Sequence, residues 1–472
     1  MTTLRFHGSA AVLLLPLALF VAVTAKLFIS EAAFDLTGLA AAGVLTLFSG
    51  SLLSKAPSEY WKAAVRGASS ELTGTVVLIL IASGIFSAMM KASGVADGLV
   101  FLGGMLHLTG HAFTVFVLLA SSLMAAATGS SIGTLLAAMP IFFPAGVALG
   151  ADPAMLAGAV LSGAIFGDNL APVSDVTVIS SVTQRFRNGT PADIAGVVRT
   201  RLPYALIALA VSLPVYAFMG ESLPVSEAAL SGDASALLML VPVAVLIAVA
   251  VRTRDVLMAI SAGAVTGTAT GLLIGRLSFA TIFAADDGRL SGFLISGISN
   301  VSPIILLCVT LFAFTGIVRE AGVPDMMAKA LEAGSAGRPS ALRTELFLSA
   351  TTLVVTTLFA AVTSASVALV GSLTDDIGRA SNVHPYRRSH ILSGLANSLP
   401  VLMPFSAFVL ITMAAVSGLE GAAAVTPFTL MTAAFYPIAL FLVFGFMVLT
   451  GTGRMMETPE PEAAEAKTAT AL

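Results

Sequence analysis

The sequence predicts an all-helical protein that crosses a membrane many times. Of its 472 residues, 57% are apolar and only 10% are charged, and the mean hydropathy is +0.98. Apolar runs rich in Ala, Leu and Gly recur along the chain, and about 20 such residues in a helix cross a hydrocarbon core of about 30 Å. Strands of a membrane barrel would be shorter and would alternate apolar with polar residues. We therefore expect a polytopic bundle of helices.

The apolar runs predict uninterrupted helices and two longer, interrupted stretches. The first run follows Arg5 and ends in small residues, as a secretory signal does, but the many runs behind it favour an uncleaved first helix. The interrupted stretches cover 111–184 and 344–417. The uninterrupted runs lie at 10–29, 34–54, 73–93, 202–219, 235–251, 256–275, 302–318 and 428–450.

Four short motifs recur in the same order in both halves of the chain, which predicts an internal duplication. We expect a first repeat over 1–219, a second over 220–453, and a disordered cytoplasmic tail over 454–472, because the tail is polar and rich in Glu, Ala, Thr and Pro. The paired motifs are Lys91–Asp97 with Arg319–Asp325, Thr128–Ser131 with Thr363–Ser366, Leu161–Gly163 with Leu392–Gly394, and Pro172–Ser174 with Pro404–Ser406.

The distribution of positive charges predicts which part of each interrupted stretch is re-entrant and which part crosses the membrane, because Lys and Arg prefer cytoplasmic loops. The cytoplasmic side gains the most basic residues if a re-entrant hairpin comes first, at about 111–149 and 344–381. A broken crossing helix then follows, at about 154–184 and 391–417. This threading gives an odd number of crossings, five, in each half, so the second repeat is inverted relative to the first. It also places both termini in the cytoplasm.

Polar residues at the predicted breaks form a candidate cation site. A lone Asp in hydrocarbon is costly, so intramembrane acids usually mark an ion or proton pathway. Proline frees carbonyl oxygens at each break, and the breaks are expected at 167–172 and 397–400. We expect Asp175 to be the main Na⁺ ligand and proton acceptor, and Asp168 to be a second acid whose titration is coupled to it. The expected neutral oxygen ligands are Ser174, Thr177, Thr128 and Ser131.

The second half offers neutral groups where the first half has acids, since Asn397 and Ser406 stand at its break. Half-helix N-termini there could form a second part of the ion site, or they could bind the carboxylate of an organic substrate. The residues expected to do so are Asn397, Ser398, Thr363, Ser364 and Ser366.

These side chains also have purely structural interpretations. Ser174 and Asp175 can cap the second half-helix, and Asp168 can accept from backbone donors of the break. Thr128 and Ser131 can bond to carbonyl groups of their own turn. The single cysteine, Cys308, excludes an internal disulfide and a cysteine cluster for a metal.

Two motifs resemble those of a known family. Gly167-Asp168 followed by Pro172-Val-Ser174-Asp175-Val-Thr177 resembles the GD-x-x-SP-x-SDTT signature of the NhaC-type Na⁺/H⁺ antiporters, in the ion transporter superfamily. The stretch 128–134 is similar to the TGTSWGT segment of that family. The chain departs from these patterns at Asn169, Ala171, Val176 and 130–132, and it retains Asp168, Ser174, Asp175 and Thr177.

The resemblance implies a secondary active transporter of the cell membrane, not an enzyme, in which Na⁺ and H⁺ compete for one carboxylate site. It implies no cofactor, and it implies a homodimer. The alternative it leaves open is a Na⁺- or H⁺-coupled transporter or exchanger of a small organic acid or amino acid. A remote alternative is an intramembrane serine hydrolase, because 129–133 matches G-x-S-x-G, although no strand-turn-helix setting or His partner is visible.

Overall fold

The computed structural model describes residues 4–8, 10–27, 36–225, 234–253, 255–286, 289–323 and 340–457. Within these residues the secondary structure is helical except for one short antiparallel hairpin, in which Ala284–Asp286 (β1) pairs with Arg289–Ser291 (β2). Short 3₁₀ turns lie at Ala10–Leu13, Ala234–Leu240, Leu399–Leu402 and Ala422–Ala424.

The helices follow one another with short connections. In the first half they are Leu14–Ala25 (α1), Leu36–Leu52 (α2), Pro57–Ala68 (α3), Glu71–Ser93 (α4), Val95–Met105 (α5), Gly110–Thr128 (α6), Ser131–Ala148 (α7), Pro153–Leu170 (α8), Asp175–Val182 (α9) and Ile194–Phe218 (α10). In the second half they are Val241–Thr253 (α11), Val256–Leu273 (α12), Phe279–Ile282 (α13), Phe293–Glu320 (α14), Ala341–Leu358 (α15), Thr363–Ala380 (α16), Pro385–Ala396 (α17), Ala407–Val416 (α18), Pro427–Ala433 (α19) and Phe435–Thr450 (α20).

The protein is a multi-pass membrane protein by the length and apolarity of its helices. In the described residues seven helical segments could cross a bilayer, and two bent pairs raise the number to nine if each pair is one span. The sequence predicts ten crossings, and the difference has two sources. Helices α1, α2 and α11 are shorter than a full span, whereas α6 and α7 are each long enough to cross.

Each predicted hairpin is a pair of helices joined by a tight tip. The α6–α7 tip turns at Gly129, whose φ of 67° is the left-handed conformation that glycine adopts readily. The open ends of this pair also meet, because the Gly110 N–H donates to the Leu149 carbonyl at 2.9 Å. The α15–α16 tip turns at Ala360 and Ala361, with φ of 51° and 59°.

Each hairpin tip lies against a broken helix. The first break falls between Leu170 and Asp175, because Pro172 has no N–H to donate to the Asp168 carbonyl. Asp168 therefore lies in the last turn of α8, and not within the break itself as the sequence predicts. A side chain at Gly129 would collide with Val173, so glycine permits this close approach of tip and break.

The second half repeats this contact with different residues. Helix α17 ends at Ala396 and α18 begins at Ala407, with a bend of 53° between them. The Ala407 N–H donates to the Ala360 carbonyl of the second hairpin tip at 2.8 Å.

The start of the predicted tail remains in contact with the bundle. Arg454 binds Glu345, and Met456 forms a bridge with Val383. The Glu457 N–H donates to the Asn382 carbonyl at 2.8 Å. The chain thus contacts the bundle as far as Glu457, and residues 458–472 lie outside the described residues.

Candidate cation site

A cavity of about 160 Å³ lies where the two halves meet. Both hairpin tips line it, at 129–132 and 361–364. The starts of α9 and α18 and one face each of α4 and α14 complete the wall. The cavity therefore lies at the point where the sequence places both sets of polar breaks.

Asp168 is the buried carboxylate of this cavity, with 4% of its surface exposed. Ser131, on the first hairpin tip, donates from Oγ to Asp168 Oδ2 at 3.2 Å. Ser174, itself buried at the start of α9, also hydrogen bonds to this carboxylate. Three of the predicted ligands are thus brought together, and two of them are hydroxyl groups that could turn their oxygens toward a cation.

Close helix packing positions Asp168. Gly163 and Gly167 on α8 lie against the backbone of α6, and a side chain at either position would collide with the carbonyl of Leu118 or Ser122. This packing brings the C-terminal end of α8 beside the C-terminal end of α6. The ends of both helices carry partial negative charge, which favours a cation near Asp168.

Asp175 lines the same cavity but is exposed, as the first residue of α9. The structure thus separates the two acids, with Asp168 in the buried wall and Asp175 at an open position. The sequence predicts Asp175 as the main ligand and Asp168 as the second acid, because it cannot show which side of the break is covered by other helices.

Two predicted ligands bond to protein groups outside the cavity lining. Thr128 donates from Oγ1 to the Met124 carbonyl of its own helix at 3.0 Å. Thr177 accepts at Oγ1 from Arg201 at 2.7 Å. Neither side chain lines the cavity, so the geometry favours the structural interpretation for both.

The predicted second-half residues divide in the same way. Thr363 and Ser364 line the cavity. Ser366 and Ser398 donate to the carbonyls of Val362 and Leu395, at 2.9 and 2.7 Å. Asn397 is buried outside the cavity lining, and neither its Nδ2 nor its Oδ1 has a hydrogen-bond partner in the part of the chain that the structure describes.

Arg201 is a buried residue near this site that sequence reasoning missed. Its side chain is fully buried on α10, where Nη1 donates to Ser393 Oγ at 2.6 Å and Nη2 to Thr177 Oγ1 at 2.7 Å. In the sequence, Arg201 ends the basic segment 185–201, and the preference of Lys and Arg for cytoplasmic loops predicts a loop position for it. Its position directly before the apolar run 202–219 was the available signal.

Arg387 and Arg388 are also buried, although the sequence counts them as loop charges. Glu345 binds Arg387 at 3.0 Å and Arg454 at 2.9 Å. Asp375 binds Arg388 at 2.8 Å. These ion pairs form a charged cluster (Glu345, Asp375, Arg387, Arg388 and Arg454) that joins α15, α16, α17 and the chain after α20.

The G-x-S-x-G pattern lies between two helices, α6 and α7, and not between a strand and a helix. Ser131, its central serine, bonds to Asp168 rather than to a histidine. This geometry does not fit the nucleophile elbow of a hydrolase.

Comparison with known proteins finds similarity to Na⁺/H⁺ antiporters over part of the chain. Residues 3–221 match the sequence model of the Na⁺/H⁺ antiporter family. The chain is 33% identical over 158 residues to a protein of Bacillus subtilis named malate-2H⁺/Na⁺-lactate antiporter. It is 40% identical over 104 residues to the Na⁺/H⁺ antiporter NhaC of Alkalihalophilus pseudofirmus. The resemblance predicted from the motifs is confirmed, and both relatives are antiporters by name rather than enzymes.

These sequence matches are partial. The first covers 34% of this chain and 32% of the B. subtilis protein, and the second covers 21% and 22%. Among solved structures, the YdaH transporter of Alcanivorax borkumensis aligns with 85% of this chain and 90% of its own, at 13% identity and a TM-score of 0.39. That score is too low to support an argument about this fold.

Proposed function

We propose that this chain, whose first half (residues 3–221) belongs to the Na⁺/H⁺ antiporter family, exchanges Na⁺ for H⁺ across a membrane. The observation that carries the proposal is Asp168, a buried carboxylate that faces a cavity and whose hydrogen-bond partners among the described residues are hydroxyl groups. Such a carboxylate can bind either a proton or Na⁺ but not both, so that loading one ion releases the other.

The first half supplies the cation ligands in this proposal. Asp168 is the main ligand and proton acceptor, and Ser131 and Ser174 contribute their hydroxyl oxygens. Asp175, at the open side of the same cavity, attracts cations from solution and concentrates them at the entrance.

A possible route for the ion runs along four helices. A second, smaller cavity of about 20 Å³ is lined by α4, α7, α14 and α18, which also line the main cavity. Leu80, Leu135 and Ile304 are buried, and helical periodicity places them on the lining faces of their helices between the two cavities. In our proposal this apolar layer closes the route on one side while the main cavity is open on the other.

The inverted arrangement of the halves and the cytoplasmic position of both termini belong to the same proposal. The matching contacts of each hairpin tip with its broken helix support the duplication. The predicted homodimer remains a prediction.

A second candidate is the coupled exchange of a small organic acid, and two observations favour it. One relative is named for malate and lactate exchange. In addition, the N-terminus of α16 has no side-chain cap, and its residues Thr363 and Ser364 line the cavity opposite Asp168. Uncapped N–H groups at that end could bind a carboxylate.

Proton movement in proteoliposomes tests the main proposal. Na⁺ should trigger proton movement in vesicles that hold an internal pH gradient. Asp168→Asn should abolish the signal, whereas Asp175→Asn should retain it with a higher half-saturating Na⁺ concentration. Loss of the signal in Asp175→Asn alone would return the main site to Asp175. If the native chain gives no signal, cation exchange is wrong, and uptake of labelled malate or lactate into the same vesicles becomes the deciding assay.

A further inference from the structure

Arg201 is a fully buried cation without an ion pair. Among the described residues its partners are two neutral hydroxyl groups, those of Ser393 and Thr177, and its Nε has no partner at all. Burying a charge without a counter-charge costs several kcal/mol. An arginine at such a position inside a membrane segment is therefore a candidate for function, with a partner to be identified.

The position of Arg201 links the two broken helices. Thr177 lies on α9, two residues after Asp175, and Ser393 lies on α17, four residues before Asn397. A further contact joins the same two helices, because Ser389 Oγ donates to Ser180 Oγ at 2.9 Å. Arg201 thus holds the cation-site half and the opposite half in one arrangement.

Asp168 is the acid whose charge acts on Arg201. Thr177, which binds Arg201, lies about one turn after Ser174 at the start of α9, and Ser174 lines the cavity together with Asp168. This arrangement lets the two charges act on each other, although they form no ion pair among the described residues. Other buried acids are already paired, since Glu345 binds Arg387 and Arg454, and Asp375 binds Arg388. Asp168 alone among these three has no arginine in contact.

We propose that Arg201 is a charge-balancing residue of the cation site, whose fixed positive charge offsets Asp168 in the empty state and keeps Na⁺ binding weak enough for release. This inference rests on the proposed function. In the empty site, the buried charges of Asp168 and Arg201 cancel each other, and loading Na⁺ or H⁺ at Asp168 leaves this buried pair with a net positive charge. Without Arg201, the site would hold either cation more tightly, because charge interactions are only weakly screened in a buried environment.

Na⁺-dependent thermal stabilisation of the purified full chain tests this proposal without requiring transport. The measurement is made at alkaline pH, so that protons do not compete, with choline as the control cation. Arg201→Gln should lower the half-saturating Na⁺ concentration by about tenfold. Arg201→Lys, which keeps the charge, and Ser393→Ala, which removes only a hydrogen bond, should stay within about threefold of the native value.

The outcomes separate this proposal from the proposed function. If the native chain responds to Na⁺ and Arg201→Gln leaves the half-saturation unchanged, Arg201 is structural and the cation site stands. If the native chain shows neither Na⁺ stabilisation nor exchange, both proposals are wrong. If Arg201→Gln does not fold, the double variant Arg201→Gln with Asp168→Asn is the next test. The double variant should fold better than the single one, because it removes both charges. If both variants fail to fold equally, the proposal that Arg201 balances the charge of Asp168 is wrong.

Discussion

Two buried carboxylates, Asp168 and Glu345, show how differently one chemical group is used in this molecule. Glu345 is fully buried, and both of its oxygens bind guanidinium groups, from Arg387 and from Arg454. Asp168 is almost as buried, but its hydrogen bonds come from hydroxyl groups and it faces a cavity. A carboxylate whose charge is already neutralised by arginine is held in place, whereas one without an arginine in contact can accept a mobile cation.

The largest effect is expected when the structural member of this pair is changed. Glu345→Gln should lower the free energy of unfolding by about 3–5 kcal/mol, because it leaves the buried charge of Arg387 without its counter-ion. Glu59→Gln is the control, since Glu59 pairs with Lys62 at an exposed position and should cost less than about 1 kcal/mol. Thermal or chemical unfolding in detergent measures both variants, and equal losses would show that the buried ion pairs of Glu345 stabilise the fold no more than an exposed ion pair does.

Asp168 is the proposed cation ligand of this pair, and changing it should remove the stabilisation of the fold by Na⁺. In the native chain, Na⁺ at about 100 times its dissociation constant should stabilise the fold by about 2.7 kcal/mol. Asp168→Asn should abolish this difference between Na⁺ and choline, and Glu345→Gln should retain it on a lower baseline. Unfolding curves in the two salts provide the measurement. Retained Na⁺ stabilisation in Asp168→Asn would show that the cation binds elsewhere.

A smaller effect should separate the two hydroxyl groups of the first hairpin tip. Ser131→Ala should raise the half-saturating Na⁺ concentration about fivefold, because it removes a hydrogen bond and a ligand oxygen worth about 1 kcal/mol at Asp168. Thr128→Ala should leave it unchanged, since that hydroxyl bonds to Met124. Exchange at graded Na⁺ concentrations distinguishes them. Equal shifts would place Thr128 at the site as the sequence predicts.

The smallest effect concerns pH at the charged cluster. His384 caps α17, where its Nδ1 accepts from the Tyr386 N–H at 3.2 Å, and burial lowers the pKa of His384 below its ordinary 6.5. On acidification, His384 therefore takes up a proton in the unfolded chain at a higher pH than in the folded chain. As a result, this group lowers the free energy of unfolding as pH falls below about 6.5 and has no effect above that pH. His384→Asn keeps a capping side chain that does not titrate. Its melting temperature should fall less than the native one on acidification, and parallel curves would contradict the prediction.

Sequence reasoning located the cavity residues better than it ranked them. The GD…P-x-SD motif directed attention to Asp168, Ser174 and Asp175, because acids and prolines in an apolar run have few structural explanations. The sequence ranks Asp175 above Asp168, whereas burial favours Asp168, because exposure depends on which other helices cover the break. Asp175 lies at the open side and Asp168 at the covered side.

The charge rule had a similar limit. It treats every Lys and Arg near an apolar run as a loop residue, and so it counted Arg201, Arg387 and Arg388 alike. All three are fully buried. Their partners lie far away in the sequence, as Glu345 does from Arg387, and local composition carries no signal for such pairs.

The sequence alone determined the helical membrane class, the two stretches in which helices are interrupted, and the resemblance of residues 3–221 to the Na⁺/H⁺ antiporter family, because hydropathy, proline and glycine act locally along the chain. The tertiary structure decided which of two acids is buried, which hydroxyl groups reach it, and that Arg201 shares the interior with Asp168. Those properties arise only when separate helices pack together and exclude water from one side of a group but not from another.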